Sequence, residues 1–274
     1  MDAISGVIDR KRQAGSAAFG QGRVALVGAG PGEPDLLTLR AARRISEADA
    51  IVYDHLVGRE ILDFARRDAR LIYVGKERDN HTLPQEEINA LLIRLAQAGS
   101  RVVRLKGGDP FIFGRGGEEI EALADAGISF EVVPGVTAAS GASCYAGIPL
   151  THRNHAQTCL FVTGHRKQGG CDLDWDALVR PKQTVVIYMG LGQLGEIAKR
   201  MIAQGMRADM PVAVIEDATR ASQRVVRATL ETVAGAVKEA GLNPPALIVV
   251  GTVVMLNKRL AWFAGRPATA AEAL

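Results

Sequence analysis

The chain has 274 residues, 47% hydrophobic and 23% charged, which excludes a disordered chain and allows one large core or two ordinary ones. Its 33 basic and 30 acidic residues leave a net charge of +3, too even for a dedicated nucleic-acid binder. No apolar run reaches the roughly 18 to 20 residues of a membrane span, and the start of the sequence lacks the uninterrupted apolar core of a signal peptide. Residues 1–21 are therefore expected to form a flexible extension ahead of a cytoplasmic protein.

From residue 23 onward, short apolar runs alternate with amphipathic stretches. Strands are expected at 23–27, 50–53, 70–74, 101–105 and 129–133, and helical apolar spacing falls at 36–46, 59–65, 84–98 and 117–126. Pro84 suits a helix start, and Gly99 and Gly127 follow two helix ends. Such alternation predicts a mostly parallel sheet covered on both faces. A small-residue helix opens after Pro134-Gly135-Val136-Thr137 and ends at Gly147-Ile148-Pro149-Leu150. A second strand set follows at 158–163, 184–189, 212–216, 225–230 and 247–250, with helices around 191–203 and 230–240. The runs 212–216 and 225–230 read as a hairpin, so this second sheet is expected to be mixed. The organisation is thus an N-terminal α/β domain over 22–150, a C-terminal α/β domain over 151–262 and a tail over 263–274. No residue-level repeat relates the halves.

The richest stretch is 107–119, Gly-Gly-Asp-Pro-Phe-Ile-Phe-Gly-Arg-Gly-Gly-Glu-Glu, which follows the apolar run 101–105. Five glycines in that span cost backbone entropy unless something must lie close to the main chain. The carboxyl end of a parallel strand is where open α/β sheets bind ligands. Gly28-Ala29-Gly30-Pro31-Gly32 invites a dinucleotide reading, but Glu33 replaces the third glycine of GxGxxG, and Glu33 and Asp35 suit helix capping better than pyrophosphate binding. Asp54 and Lys76 follow the second and third strands, where a helix cap and a solvated lysine are the plain alternatives. Arg115 and Arg153 lie in loops, and as a pair could grip a polyanion. Cys144, Cys159 and Cys171 lack CxxC spacing and read as idle thiols. His152, His155, Cys159, His165 and Cys171 fit no common zinc pattern, so no metal is expected.

Together these stretches resemble one family. Val-Gly-Ala-Gly-Pro-Gly (27–32), Tyr-Asp-His-Leu-Val (53–57), Val-Gly-Lys (74–76), the block 104–119, Val-Val-Pro-Gly-Val-Thr-Ala-Ala (132–139), Pro-Leu-Thr-His-Arg (149–153) and Tyr-Met-Gly (188–190) occur in its order. The chain, from about residue 22 to 260, is similar to the S-adenosylmethionine-dependent uroporphyrinogen-III C-methyltransferases of the tetrapyrrole methylase superfamily.

The resemblance implies a class III methyltransferase fold, two α/β domains with the active site in the cleft between them, and a homodimer. It implies S-adenosylmethionine contacts from Pro31, Gly107, Gly108, Asp109, Ile112, Thr137, Ala138, Met189 and Ala218, with Ala246 and Ile248 as additions. Asp54 matches a proton acceptor and Lys76 a proton donor; Arg115 is the alternative base. His55, which stands where relatives often carry arginine, Glu118 and Arg153 fall on the substrate side. The implied substrates are uroporphyrinogen III and precorrin-1, and the products precorrin-2 and S-adenosylhomocysteine. The sequence does not choose among cobalamin, sirohaem and haem d1 as the destination. The rival readings are a sister methyltransferase of the same fold, a nicotinamide dehydrogenase and a non-catalytic tetrapyrrole carrier.

Overall fold

The computed structural model describes residues 19–75, 83–164 and 173–263. Contacts divide the chain into two units, Met1–Thr137 and Ala138–Leu274.

The first unit holds a five-stranded sheet built from β1 (Val24–Gly28), β2 (Ala50–Tyr53), β3 (Arg70–Tyr73), β4 (Val102–Lys106) and β5 (Phe130–Val133). The order is β3-β2-β4-β1-β5 and every pairing is parallel. Strand side chains alternate between faces, and both faces are covered. Ala25, Val27, Ile51, Val103 and Leu105 pack with Ala41 and Ile45 of α1 (Leu39–Glu47). On the other face Val24, Ala50, Val52 and Val102 meet Ile88, Leu92 and Leu95 of α3 (Gln85–Gln97) and Leu123 of α4 (Gly116–Asp125). A short α2 (Arg59–Leu62) precedes β3. The helix expected from residue 36 starts later because Pro34–Leu36 forms a separate 3-10 turn and Thr38 caps α1, its Oγ1 accepting from Ala41 N at 3.1 Å.

The second unit contains β6 (Thr158–Thr163), β7 (Gln183–Tyr188), β8 (Pro211–Glu216), β9 (Arg224–Thr229) and β10 (Ala246–Val250), in the order β6-β7-β10-β8-β9. β6 and β7 are parallel and the other pairings antiparallel, so the sheet is mixed and β8–β9 is the expected hairpin. Val185, Ile187, Val212, Val214, Ile248 and Val250 line one face, against Ile197 and Met201 of α7 (Leu194–Ala203) and Val233 and Val237 of α8 (Val233–Ala240). Val186, Ala213, Ile215, Leu247 and Val249 line the other, against Ala139 and Ala142 of α5 (Ala138–Tyr145). The short helices α6 (Trp175–Leu178) and α9 (Asn257–Leu260) complete the unit. The expected boundary at 150 followed the Gly147–Pro149 helix stop. The contacts instead divide the chain before α5, because its alanines pack on the second sheet. Among the described residues no helix is long and apolar enough to cross a membrane.

One ion pair fastens the amino ends of β2 and β4. Asp49 Oδ2 accepts from Arg101 N at 2.8 Å and Arg101 Nε at 2.9 Å, while Oδ1 accepts from Arg101 Nη2 at 2.7 Å. The guanidinium hydrogen bond holds the Asp49 carboxyl down at about 2. A folded value below the unfolded one gives stability that is present above pH ~4 and lost as pH falls toward 2. Partial exposure reduces the effect, so Asp49→Asn is expected to lower stability by about 1–2 kcal/mol at neutral pH. Urea melts of both proteins across pH 7 to 2 check this: the gap should close in acid, and a constant gap would show that the pair does not titrate as argued.

Candidate active site

The carboxyl edge of the first sheet is built by main chain meeting main chain. Gly108 N donates to Gly30 O at 2.7 Å, Gly30 N returns a bond to Gly108 O at 3.2 Å, and Ala29 N reaches Lys106 O at 2.7 Å. A Cβ on Gly28 would lie 2.6 Å from both Gly108 O and Gly135 N, and one on Gly135 would strike Gly108 O. The loops after β1, β4 and β5 therefore touch where no side chain fits. Asp109 fastens them further: Oδ2 accepts from Gly135 N at 3.1 Å and Oδ1 from Phe111 N at 2.9 Å. Pro31, Gly107, Gly108, Asp109 and Thr137 all lie on this edge, and Asp54 and His55 follow β2 beside them. Gly107 is pressed on Leu56, whose Cβ would stand 2.7 Å from a Cβ added there.

Beneath the edge lies a charge cluster that the motifs did not single out. Arg104 and Lys106 project from β4 on the side of α3 and α4, and both are buried. Glu119 of α4 is 0% exposed, and its Oε1 accepts from Arg104 Nε at 3.0 Å, Lys106 Nζ at 3.2 Å and Gln85 Nε2 at 3.1 Å. Arg104 Nη2 continues to Asp54 Oδ2 at 3.1 Å, and Leu56 N donates to Asp54 Oδ1 at 3.1 Å. Burial pushes the Lys106 ammonium below the usual lysine value, and the neighbouring Arg104 charge adds to the shift. One signal could have revealed the cluster: residues 104 and 106 share a face in a two-residue period, on a central strand where apolar residues are the rule.

Past Asp109 the loop is held in conformations that non-glycine residues avoid, with φ of 52° at Phe113 and 58° at Arg115. Arg115 precedes α4 and grips Glu118, Nε to Oε1 at 2.8 Å and Nη2 to Oε2 at 2.5 Å. That hydrogen bond raises the Arg115 pKa above its ordinary value, keeping it cationic. Both side chains stay about half exposed, and together with Phe111 they line a shallow depression. Ile112 is half-buried in the same loop.

In the second unit, Met189 follows β7 with φ of 52° and an exposed side chain. Ala218 follows β8 between two left-handed residues, Asp217 at 45° and Thr219 at 69°. Ala246 opens β10 opposite Glu216, so these three positions share one edge of the second sheet. Tyr188 Oη accepts from Ala139 N at 3.0 Å, which brings Ala138 to the same edge. Ile248 is fully enclosed, packed near Gly190, so its side chain offers no surface. Arg153 is exposed in a tight loop closed by His152 N to Ala156 O and Ala156 N to His152 O, each 2.9 Å. Lys76 lies outside the described residues, as do His165 and Cys171. Cys159 is a half-buried thiol pushed up to about 11 by desolvation, whereas Cys144 is exposed.

Compared with known proteins, the sequence matches the family of Tetrapyrrole (Corrin/Porphyrin) Methylases over residues 23–234. It is 62% identical over 253 residues to a siroheme synthase of Methylobacillus flagellatus, an alignment covering 92% of this chain and 54% of that protein. The chain thus spans about half the length of such relatives. The native crystal structure of uroporphyrin III C-methyl transferase from Thermus thermophilus superposes with a TM-score of 0.74 at 44% identity, covering 85% of this chain and 99% of that one. A structure of the Thermus thermophilus enzyme complexed with S-adenyl homocysteine gives 0.73 at 42% identity, covering 85% and 93%.

The contact of three main chains yields a direct expectation. Gly135→Ala should lower stability by about 1–3 kcal/mol, because the added methyl overpacks backbone that has no side chain to move aside. Gly117→Ala, where a Cβ meets nothing within 4 Å, should be neutral or slightly stabilising. Urea unfolding of the two variants separates them; equal effects would show that the loops yield freely.

Proposed function

Because the chain belongs to the tetrapyrrole (corrin/porphyrin) methylase family, we propose that it is an S-adenosylmethionine-dependent uroporphyrinogen-III C-methyltransferase. It adds methyl groups to carbons 2 and 7 of the substrate, giving precorrin-2 through precorrin-1 and releasing S-adenosylhomocysteine. The observation that carries this reading is the likeness to the Thermus uroporphyrin III C-methyl transferase over nearly all of that enzyme's length. The methylation alone is assigned; the rest of the longer siroheme synthases' chemistry is not.

The residues present suit the cofactor. Main chain is brought forward without side chains at Gly107 and Gly108, and left-handed backbone presents Met189 and the residues flanking Ala218. Pro31, Asp109, Ile112, Thr137, Ala138 and Ala246 would complete the holding set; Ile248 would act only through its main chain. Bound there, S-adenosylmethionine supplies a sulfonium methyl group already activated for transfer to a nucleophilic carbon. The protein's own task is chiefly alignment, since proximity and orientation can remove several kcal/mol of barrier.

Uroporphyrinogen III carries eight carboxylates, and cationic Arg115 with Arg153 would bind some of them. Glu118 fixes the Arg115 guanidinium in one orientation, and His55 would face the substrate beside Asp54. A ring carbon that gains a methyl group leaves a cationic ring, which must lose a proton to a base within reach. Asp54 is the acceptor in this reading and Lys76 the donor. Homodimerisation and a cytoplasmic setting belong to the same reading.

Anaerobic incubation with uroporphyrinogen III and methyl-labelled S-adenosylmethionine tests it. Two labels should enter each tetrapyrrole; none, with a control enzyme working, would overturn the reading. Arg115→Ala is expected to lower kcat/KM for the tetrapyrrole by about 10- to 100-fold, the usual loss of a charged hydrogen bond, with cofactor affinity nearly intact by calorimetry. A loss of cofactor affinity instead would move Arg115 to the cofactor side.

A further inference from the structure

Arg104 is an unusual occupant of its position. It stands inside a parallel strand with neighbours on both sides, and its side chain is only 4% exposed. All three guanidinium nitrogens are engaged. Nε donates to Glu119 Oε1, Nη2 to Asp54 Oδ2, and Nη1 to the carbonyls of Leu105 at 3.0 Å and Val52 at 3.4 Å. The fork is thereby tied to β2, β4 and α4 together.

As a stabilising device the cluster is poor. Buried ion groups lose hydration, and their replacement by well-packed apolar residues is often neutral or favourable. Glu119 Oε2 is buried with no hydrogen-bond partner among the described residues, so even the anchor is incompletely satisfied there. What the cluster does achieve is directional. Side-chain exposure is 0% at Glu119, 6% at Lys106, 4% at Arg104 and 20% at Asp54, so among the charged members the contacts run from a fully enclosed anchor to Asp54, the one that reaches the surface. There Asp54 has one oxygen on Arg104 and the other on Leu56 N, which leaves its carboxylate a single orientation.

We infer that Arg104, anchored by Glu119, is a positioning residue that fixes the Asp54 carboxylate toward the reacting tetrapyrrole. This rests on the reading above, in which Asp54 receives the proton released after methyl transfer. Lysine cannot replace this arginine, because an ammonium lacks the planar fork that spans Glu119 and Asp54 at once.

A double-mutant cycle tests the inference, with Arg104→Lys, Asp54→Ala and their combination measured for kcat, both KM values and thermal midpoint. Arg104→Lys is expected to lower kcat about 100-fold, the scale of a misplacement near 1 Å, while both KM values change little; the midpoint falls as well, because a buried charge network loses partners. In the Asp54→Ala background the same substitution should have no further effect. An undiminished kcat in Arg104→Lys, or the same loss in both backgrounds, overturns the inference. If Arg104→Lys does not fold, Glu119→Gln carries the cycle with the same expectations and the same overturning results. A crystal structure of the folded variant gives a readout independent of turnover: Asp54 should leave its present orientation, and its retention there overturns the inference. Failure of the parent protein to methylate uroporphyrinogen III, with Asp54 displaced in the variant, would sink the proposed substrate and leave the positioning role standing. Full turnover by Asp54→Ala alone would remove Asp54 as acceptor and the inference with it.

Discussion

The contact of three main chains at Gly28, Gly108 and Gly135 is the constraint on which the first unit's edge depends. A parallel sheet directs its strand ends the same way, so the loops after β1, β4 and β5 emerge side by side. Ordinary side chains at those points would hold the loops apart. Glycine lets them close, and Asp109 then joins two of them through its carboxylate. Once the loops are closed, the main chain itself becomes the surface available to a ligand, and the residues beyond it are committed to strained conformations at Phe113 and Arg115. Strain of this kind costs about 1–3 kcal/mol per residue and persists only where surrounding structure enforces it.

The sheet has a second layer of organisation along its strands. On the face covered by α3 and α4, the amino halves of β2 and β4 are apolar, with Ala50, Val52 and Val102 in one core. Toward the carboxyl ends the same face turns to charge, with Arg104, Lys106 and then Asp54 meeting Glu119. Core and charge cluster are thus successive stretches of the same strands, and α4 serves both: Leu123 enters the core while Glu119 holds the charges.

Much of this was legible from the amino-acid sequence, though unevenly. Apolar runs and helical spacing located the ten strands of the described residues within a residue or so at their ends, and the short polar link between 216 and 225 marked the antiparallel pair. The glycine-rich block after β4 marked the crowded edge, where Gly107 is pressed on Leu56 and Gly108 on Gly28 and Gly135. The buried charges were harder to see. Arg104 and Lys106 sit among valine and leucine, and a window average reads that segment as apolar. Glu119 resembles a helix-start carboxylate, and only the fold shows it facing inward. The division before α5 was hidden for a similar reason: a helix of alanine, serine and glycine carries little amphipathic pattern, so sequence cannot say which sheet it will cover.

The order of strands in the first sheet also sets a timetable for synthesis. Among the described strands β1 is hydrogen-bonded only to β4 and β5, and β2 to β3 and β4. A chain leaving the ribosome amino end first can pair β2 with β3 early, but Val24 has no strand beside it until Val102 has emerged. Non-local pairing of this kind is slow and leaves apolar strands exposed meanwhile. The sequence Val-Ala-Leu-Val of β1 is therefore the segment with the longest wait for a strand partner.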